Sequence, residues 1–315
     1  MKNKEPLILG VVVAFSLLVY LLVETYAHSV MHKHVDSQNF EYNDLPPVTK
    51  TGDIRNGKVL VTGAGACTGC HSIESEGIPS NVDAVSAATI YGVNPPDLSD
   101  VGVLYETKFL ADLIKNPTHA LKVEHKFDAA KGQMHPMVAF YGAGGDIDQE
   151  IADMVAYLKS IAISIDELTP KMAYENACGR CHSMAYENWT EIGETPKFKN
   201  KKDELAYEIK TLEYQDSLKA YMGKLPPDLS MYYRSRSLAF LSTFIENPQS
   251  HLKGTAMPRV GVTAEVAQKV IEHMADSADT KRAERDAIGK NVIIYIIIFA
   301  IFAFLWKRQV WRDLK

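Results

Sequence analysis

The sequence predicts an all-α protein in which two tandem, related helical domains stand between an N-terminal and a C-terminal transmembrane helix. Three observations in its 315 residues predict this arrangement. An apolar run lies near each end, all four cysteines fall in two copies of one five-residue motif, and a Pro-Pro-Asp-Leu-Ser segment occurs twice. At this length, two domains of ordinary size are the natural expectation.

The first apolar run, Leu7 to Val23, is a candidate transmembrane helix. It contains no charged residue and is close to the shortest run that crosses about 30 Å of hydrocarbon at about 1.5 Å per residue. A cleaved signal peptide is the alternative interpretation, but the run is long for such a peptide and Glu24-Thr25-Tyr26 is a poor cleavage site. We therefore expect residues 1–34 to form a retained N-terminal anchor.

The second apolar run, Val292 to Trp306, is the stronger transmembrane candidate. A buried core helix normally carries a polar stripe, whereas the only polar group in this run is the Tyr295 hydroxyl. We expect residues 286–315 to form a C-terminal anchor that ends in a basic tail.

Basic residues outside the two runs predict the orientation of the chain. Lys2 and Lys4 precede the first run, and four basic residues follow the second, namely Lys307, Arg308, Arg312 and Lys315. Basic residues beside a span favour the cytoplasmic side of the membrane. Both termini are therefore expected in the cytoplasm, with the domains between them on the outer side, which is the periplasm for a bacterial inner (cytoplasmic) membrane or the topologically equivalent compartment of an organelle.

The four cysteines belong to a repeated C-x-x-C-H motif. Its copies are Cys67-Thr68-Gly69-Cys70-His71 and Cys178-Gly179-Arg180-Cys181-His182. In this motif the two thiols attach a haem covalently, and the adjacent histidine ligates its iron. A four-cysteine zinc site, two redox dithiols and structural disulfides are the alternatives, but none of them requires a histidine after each pair. The sequence thus predicts two covalently bound haem c groups, with Cys67, Cys70, Cys178 and Cys181 as attachment residues and His71 and His182 as iron ligands.

A methionine on the opposite side of each haem is the expected sixth iron ligand. In the second half, Met257 lies before a proline in a loop without a competing methionine. In the first half Met134, His135 and Met137 compete. Many bacterial c-type cytochromes carry Met-Pro-Ala-Phe at this ligand, and Met137-Val138-Ala139-Phe140 resembles that sequence at three of four positions. We therefore expect Met137 and Met257 to be the distal ligands, with Met134 as the alternative in the first half.

An internal repeat relates the two halves. The segment Pro95 to Ser99 recurs as Pro226 to Ser230, and the residues of the following helix recur in the same register. Each copy is predicted to contain a helix, the cysteine motif, a loop, the Pro-Pro segment, a helix, a methionine loop and a final helix. We expect one cytochrome c domain at residues 50–165 and a second at residues 166–280.

The final helix of the first copy has the clearest pattern. Ile151, Met154, Val155 and Leu158 recur at helical spacing, which predicts one apolar face in the core.

The second copy carries an insertion between its cysteine motif and its Pro-Pro segment. The insertion contains Lys197 to Lys202 and a helix-like stretch over residues 204–220. Because it is rich in charge, we expect it to be exposed.

One group of residues in the second half carries a family resemblance. It comprises Leu225 to Ser230, Arg234, Arg236 and a helix from Leu238, and the C-terminal anchor with its basic tail follows. These features resemble cytochrome c1, the haem subunit of the quinol:cytochrome c oxidoreductase. The resemblance implies that the anchor packs beside cytochrome b and that Arg236 approaches a haem propionate. Two haem motifs and two anchors depart from the ordinary subunit, so the chain is more similar to the dihaem cytochrome that replaces cytochrome c1 in some bacterial bc complexes.

That resemblance implies an electron-transfer function. The expected partners are the cytochrome b and Rieske iron-sulfur subunits, and electrons would pass outward to a periplasmic cytochrome c or an oxidase. The chain would perform no substrate chemistry of its own. A dihaem subunit of a cbb3-type terminal oxidase, a dihaem peroxidase and a membrane-tethered electron shuttle are the alternatives.

The charge balance agrees with these partners. The formal net charge is −5, and the part between the two spans is more acidic still because the spans are flanked by basic residues. Such a surface attracts a basic electron carrier. We expect contact with membrane lipid through the spans and no nucleic-acid partner.

Overall fold

The computed structural model describes residues 4–31 and 41–313, which are mostly helical. A long helix at each end flanks two helical repeats, called here the first repeat (residues 54–161) and the second repeat (residues 170–278). Residues 1–3 and 32–34 of the expected N-terminal anchor, together with Lys315 of the basic tail, lie outside the described residues.

The two terminal helices have the properties predicted for membrane spans. Helix α1 spans Lys4–Met31, and the last helix, α14, spans Arg282–Asp313. Their most apolar parts have mean hydropathies of 2.7 and 2.4, and neither is buried against the rest of the protein. Both helices are therefore long and apolar enough to cross a membrane.

The first repeat follows the predicted order except at one place, where a helix (Ala84–Tyr91) lies in the loop predicted between the cysteine motif and the Pro-Pro segment. Helix α2 (Ile54–Val59) continues into a π-helical turn (Leu60–Ala64) ahead of the cysteine motif. The helices that follow are α3 (Ala84–Tyr91), α4 (Val101–Leu104), α5 (Thr107–Lys115), α6 (Pro117–Ala120) and α7 (Ile147–Ile161). Short 3₁₀ turns span Cys67–Gly69, Glu74–Glu76 and Ala129–Lys131.

The second repeat follows the same order with one insertion. Its helices are α8 (Pro170–Ala177), α9 (Lys201–Met222), α10 (Tyr232–Ser235), α11 (Leu238–Glu246), α12 (Pro248–His251) and α13 (Ala264–Ala278). A 3₁₀ turn spans Ala185–Glu187, and strands β1 (Trp189–Thr190) and β2 (Gly193–Glu194) form an antiparallel pair. Helix α9 lies in the insertion, and the other helices have counterparts in the first repeat.

Helix starts and stops follow from short polar side chains and prolines. The side chains of Asp53, Asp146, Thr169 and Thr263 accept hydrogen bonds from the first turns of α2, α7, α8 and α13. Proline separates the middle helices, since α6 begins at Pro117 and α12 begins at Pro248. These breaks lie where the sequence predicts them.

The first and last helices of the first repeat pack closely because of Gly57. A Cβ at this position would lie 1.9 Å from the Asp153 carbonyl oxygen, so only glycine allows the approach. The Asp153 carboxylate in turn accepts hydrogen bonds from the Asp53 amide at 2.7 Å and the Asn56 side chain at 2.5 Å. The apolar face predicted for α7 is confirmed, since all four of its residues are buried: Ile151, Met154, Val155 and Leu158.

The two repeats share one hydrophobic core and are joined by backbone hydrogen bonds. The Glu106 amide donates to the Gly261 carbonyl at 2.9 Å, and the Thr263 amide donates to the Leu104 carbonyl at 3.1 Å. The buried Tyr42 hydroxyl, from the segment that precedes the first repeat, donates to the Val262 carbonyl at 2.7 Å. The repeats are therefore held in a defined relative position.

The expectation of an exposed insertion is wrong for one face of α9. Tyr214, Leu218 and Met222 are buried and pack with Ala88 of α3. These three residues recur every four positions, so they form one stripe that faces the first repeat, while most other residues of α9 are exposed. The insertion thus joins the two repeats.

Candidate haem attachment sites

The first cysteine motif forms a single tight turn. The left-handed backbone of Ala66 (φ 52°) leads into the 3₁₀ turn Cys67–Gly69. The His71 amide then donates to the Cys67 carbonyl at 3.0 Å. Both thiols and the imidazole therefore lie on one turn, the arrangement in which one haem can meet all three.

The Pro-Pro segment orients the His71 imidazole. Nδ1 lies 2.8 Å from the Pro96 carbonyl oxygen, which can only accept, so Nδ1 carries the proton and Nε2 keeps its lone pair. Burial lowers the pKa of His71, which keeps the ring neutral near pH 7. A neutral imidazole with a fixed tautomer is the form that a metal requires.

The rest of this segment holds the chain that leaves the motif. The Asp97 carboxylate accepts a hydrogen bond from the Glu74 amide at 3.0 Å. The Leu98 amide donates to the Ser72 carbonyl at 2.9 Å. The segment Pro95 to Ser99 is thus a brace for the residues directly after the histidine.

The second cysteine motif has the same contacts. His182 Nδ1 lies 2.8 Å from the Pro227 carbonyl oxygen, and burial again lowers the pKa of the histidine. The other counterparts are the Ala185 amide to the Asp228 carboxylate at 2.8 Å and the Leu229 amide to the Ser183 carbonyl at 3.0 Å. The repeat in sequence is therefore also a repeat in hydrogen bonding around each histidine.

The state of the cysteines fits haem attachment better than the alternatives. All four are free thiols, so they form no structural disulfides. Among the described residues no group of three or more His, Cys, Asp and Glu side chains is placed to hold a metal ion. Burial raises the pKa of Cys67 and Cys181, and that of Cys178 to about 12, whereas reactive dithiols need a lowered pKa.

Three candidate distal ligands lie together in the loop between α6 and α7. His135 Nδ1 accepts a hydrogen bond from the Met137 amide at 3.1 Å, and its Nε2 lies 3.2 Å from the Tyr221 hydroxyl of α9. Both ring nitrogens are therefore occupied by protein contacts. Met137 is half-buried and Met134 is exposed.

The loop that carries Met257 is hydrogen-bonded to the side chain of Gln249 in α12. The Gln249 side chain donates to the Thr255 carbonyl at 2.8 Å and to the Met257 carbonyl at 3.3 Å, and it accepts from the Gly254 amide at 3.1 Å. Met257 itself is half-buried. The backbone around this methionine is thereby fixed by a side chain of α12.

Arg236 lies on the surface after α10. Its guanidinium is 5.6 Å from the centre of the Phe240 ring and 6.0 Å from that of Tyr232, and Nη1 donates to the Ser235 carbonyl at 3.0 Å. These contacts hold the side chain against the start of α11. The approach of Arg236 to a haem propionate stays a prediction.

The sequence interpretation missed two residues that join the sites. Arg180, within the second cysteine motif, reaches the first repeat, and Tyr221 of α9 contacts the loop of His135. The sequence offers one signal for each. Arg180 is a positive charge inside the motif, and Tyr221 follows Tyr214 of the buried stripe of α9 at helical spacing.

Comparisons with known proteins identify part of the chain. Residues 54–162 match the family described as cytochrome c, so the chain contains a cytochrome c domain, which implies covalently bound haem c and electron transfer. No curated protein is a significant match to the chain. A solved structure titled "Hyperthermophilic respiratory Complex III" is 25% identical over 49% of this chain and 78% of that chain, with a TM-score of 0.37. That TM-score is too low to establish a common fold.

Proposed function

We propose that the protein is a membrane-anchored dihaem c-type cytochrome that relays electrons in a bacterial cytochrome bc complex. The observation that carries this proposal is the pair of equivalent histidines, each donating from Nδ1 to the carbonyl of the second proline at 2.8 Å. The family match covers only the first of these sites. The second site has the same contacts, which supports a second haem and a second cytochrome c domain at residues 166–280.

Each site would use its residues in the same way. The cysteine pairs would form thioethers to haem, and His71 and His182 would ligate iron through Nε2. Met137 and Met257 would be the distal ligands. The occupied nitrogens of His135 support Met137 over that histidine, and the hydrogen bonds of Gln249 to the backbone around Met257 support Met257. Haem iron, when bound, supplies one-electron exchange between ferric and ferrous states, and the protein sets potential, distance and docking.

The terminal helices support membrane anchoring. The most apolar part of each is not buried against the rest of the protein. The basic residues beside each apolar run support cytoplasmic termini and a periplasmic position for residues 50–280. The two haems would then lie on the periplasmic side of the inner membrane.

The proposed partners follow from the resemblance to cytochrome c1. Residues Leu225 to Ser230, Arg236 and the C-terminal anchor carry that resemblance. In this arrangement the chain accepts an electron from the Rieske centre, packs its anchor beside cytochrome b and passes the electron to a periplasmic cytochrome c or an oxidase. The acidic surface suits a basic acceptor.

Purification of the tagged full-length chain in mild detergent tests this function. We expect a cytochrome b and a Rieske protein to co-purify with a chain that stains for haem. Recovery of a haem-copper oxidase without them would contradict the proposal in favour of an oxidase subunit. Recovery of the haem-stained chain alone would contradict it in favour of a tethered shuttle.

A further inference from the structure

Arg180 belongs to the second cysteine motif, but its side chain binds the first repeat. Nη1 donates to the Asn94 carbonyl at 2.9 Å, and the buried Tyr105 of the first repeat interacts electrostatically with the guanidinium. Asn94 directly precedes the Pro95-Pro96 pair, and the Pro96 carbonyl orients His71. Arg180 therefore connects one haem attachment motif to the segment that positions the iron ligand of the other.

Tyr214 of α9 makes a second contact with the backbone of Asn94. The buried Tyr214 hydroxyl accepts from the Asn94 amide at 3.1 Å and donates to the Arg180 carbonyl at 2.8 Å. Both backbone groups of Asn94 are thus bound by the second repeat. Movement of the first Pro-Pro segment would break both hydrogen bonds.

The charge of the Arg180 guanidinium reaches both motifs. Its Nε is buried, and the guanidinium acts electrostatically on His71 of the first motif and on Cys178 and Cys181 of its own motif. Such a charge favours the reduced form of a nearby iron, because ferric iron carries one more positive charge than ferrous iron.

We propose that Arg180 is a positioning residue that couples the two haem sites. Its charge raises the reduction potential of both haems, and its bond to Asn94 holds the segment that orients His71. This coupling rests on the proposed two-haem function. It makes the first site sensitive to the structure of the second motif, so that neither site is independent of the other.

Redox titration of the detergent-solubilised full-length holoprotein tests the coupling. Arg180→Met should lower both midpoint potentials. The expected shift is about a tenfold fall in the ferrous-to-ferric ratio at a fixed applied potential, which is about 59 mV for one electron. Arg180→Lys keeps a cation, so its potentials should stay close to those of the wild type. Arg55→Met, which removes an exposed arginine of α2, is the matched control and should leave both potentials unchanged.

The possible outcomes distinguish a failure of the coupling from a failure of the proposed two-haem function. The coupling is overturned if Arg180→Met leaves both midpoint potentials unchanged or shifts only one of them. An equal fall in Arg180→Lys would overturn the role of the charge. One covalently bound haem per wild-type chain, measured by pyridine haemochrome absorbance, would overturn the two-haem function itself. If Arg180→Met does not take up haem, Arg180→Gln carries the same test, because it removes the charge and keeps a polar group near Asn94.

Discussion

Arg259 of the second repeat and Asp44, which precedes the first repeat, form an ion pair with Nη1 and Oδ2 2.7 Å apart. Only 1% of the Arg259 side chain is exposed, against 35% of Asp44. Arg259 Nε also donates to the Ala120 carbonyl at 2.7 Å, and the guanidinium lies 5.6 Å from the centre of the Tyr42 ring. Because Arg259 follows Met257 by two positions, this pair ties the second methionine loop to the first repeat.

Asp44→Asn should destabilise the protein by about 3–5 kcal/mol, since it leaves the buried Arg259 charge unpaired. Asp148→Asn breaks the exposed pair with Lys115 and should cost less than about 1 kcal/mol. Denaturant unfolding followed by circular dichroism measures both free energies. Equal losses of unfolding free energy in the two variants would show that the Arg259–Asp44 pair contributes no more than an exposed ion pair.

The same pair predicts a pH dependence of stability. Burial acts to raise the pKa of Asp44, but the hydrogen bond and charge of Arg259 outweigh it, and the pKa is lowered. A lowered carboxyl pKa gives stability that is present above the unfolded value of about 3.9 and is lost as the pH falls through the folded value. The difference in unfolding free energy between wild type and Asp44→Asn should therefore shrink below about pH 4. A difference that stays constant from pH 7 to pH 3 would count against this ion pair.

Two glycines with the same backbone conformation give a test of the contact between the repeats. Gly261 (φ +77°) and Gly254 (φ +75°) both lie in the left-handed region, but a Cβ at Gly261 would lie 2.1 Å from Phe109, whereas one at Gly254 would meet open space. Gly254→Ala should cost about 1–2 kcal/mol through its backbone alone. Gly261→Ala should cost several kcal/mol more, because Phe109 and the backbone beside it must shift. Thermal unfolding compares the two, and similar midpoints would show that Gly261 does not pack against Phe109 as described.

The methionine loop of the first repeat offers a choice that single substitutions settle. Met137→Ala should abolish the sulfur-to-iron absorption band of the first haem, and Met134→Ala should leave it in place. The visible spectrum of the oxidised protein measures the summed band of both haems, so the expected change in Met137→Ala is a decrease to the share of the second haem, with Met134→Ala as the matched control. Loss of the band in Met134→Ala alone would show that our choice of ligand is wrong.

Local features of the fold were predictable from the sequence because each has its own short-range signal. The apolar face of α7 follows from Ile151 to Leu158 at helical spacing, and the helix breaks follow from Pro117 and Pro248. The terminal helices follow from uninterrupted apolar runs. The two cysteine motifs and their Pro-Pro segments were evident as repeats, although their hydrogen bonds were not.

The contacts between the repeats had no comparable signal. Arg259 reaches Asp44, and Arg180 reaches Asn94, through loops far apart in the sequence, where no periodicity marks a partner. The stripe of α9 was present in the sequence as Tyr214, Leu218 and Met222, but the surrounding charges concealed it. Charge density in a segment describes its average exposure, and a single buried face can lie within it.

The proposed function requires two covalently bound haems in each chain, and their number can be counted. Pyridine haemochrome absorbance, together with the intact mass of the denatured full-length protein, measures covalently bound haem. We predict two haems in the wild type and one in a Cys178→Ala, Cys181→Ala variant. One haem in the wild type, lost only when Cys67 and Cys70 are replaced, would contradict the account.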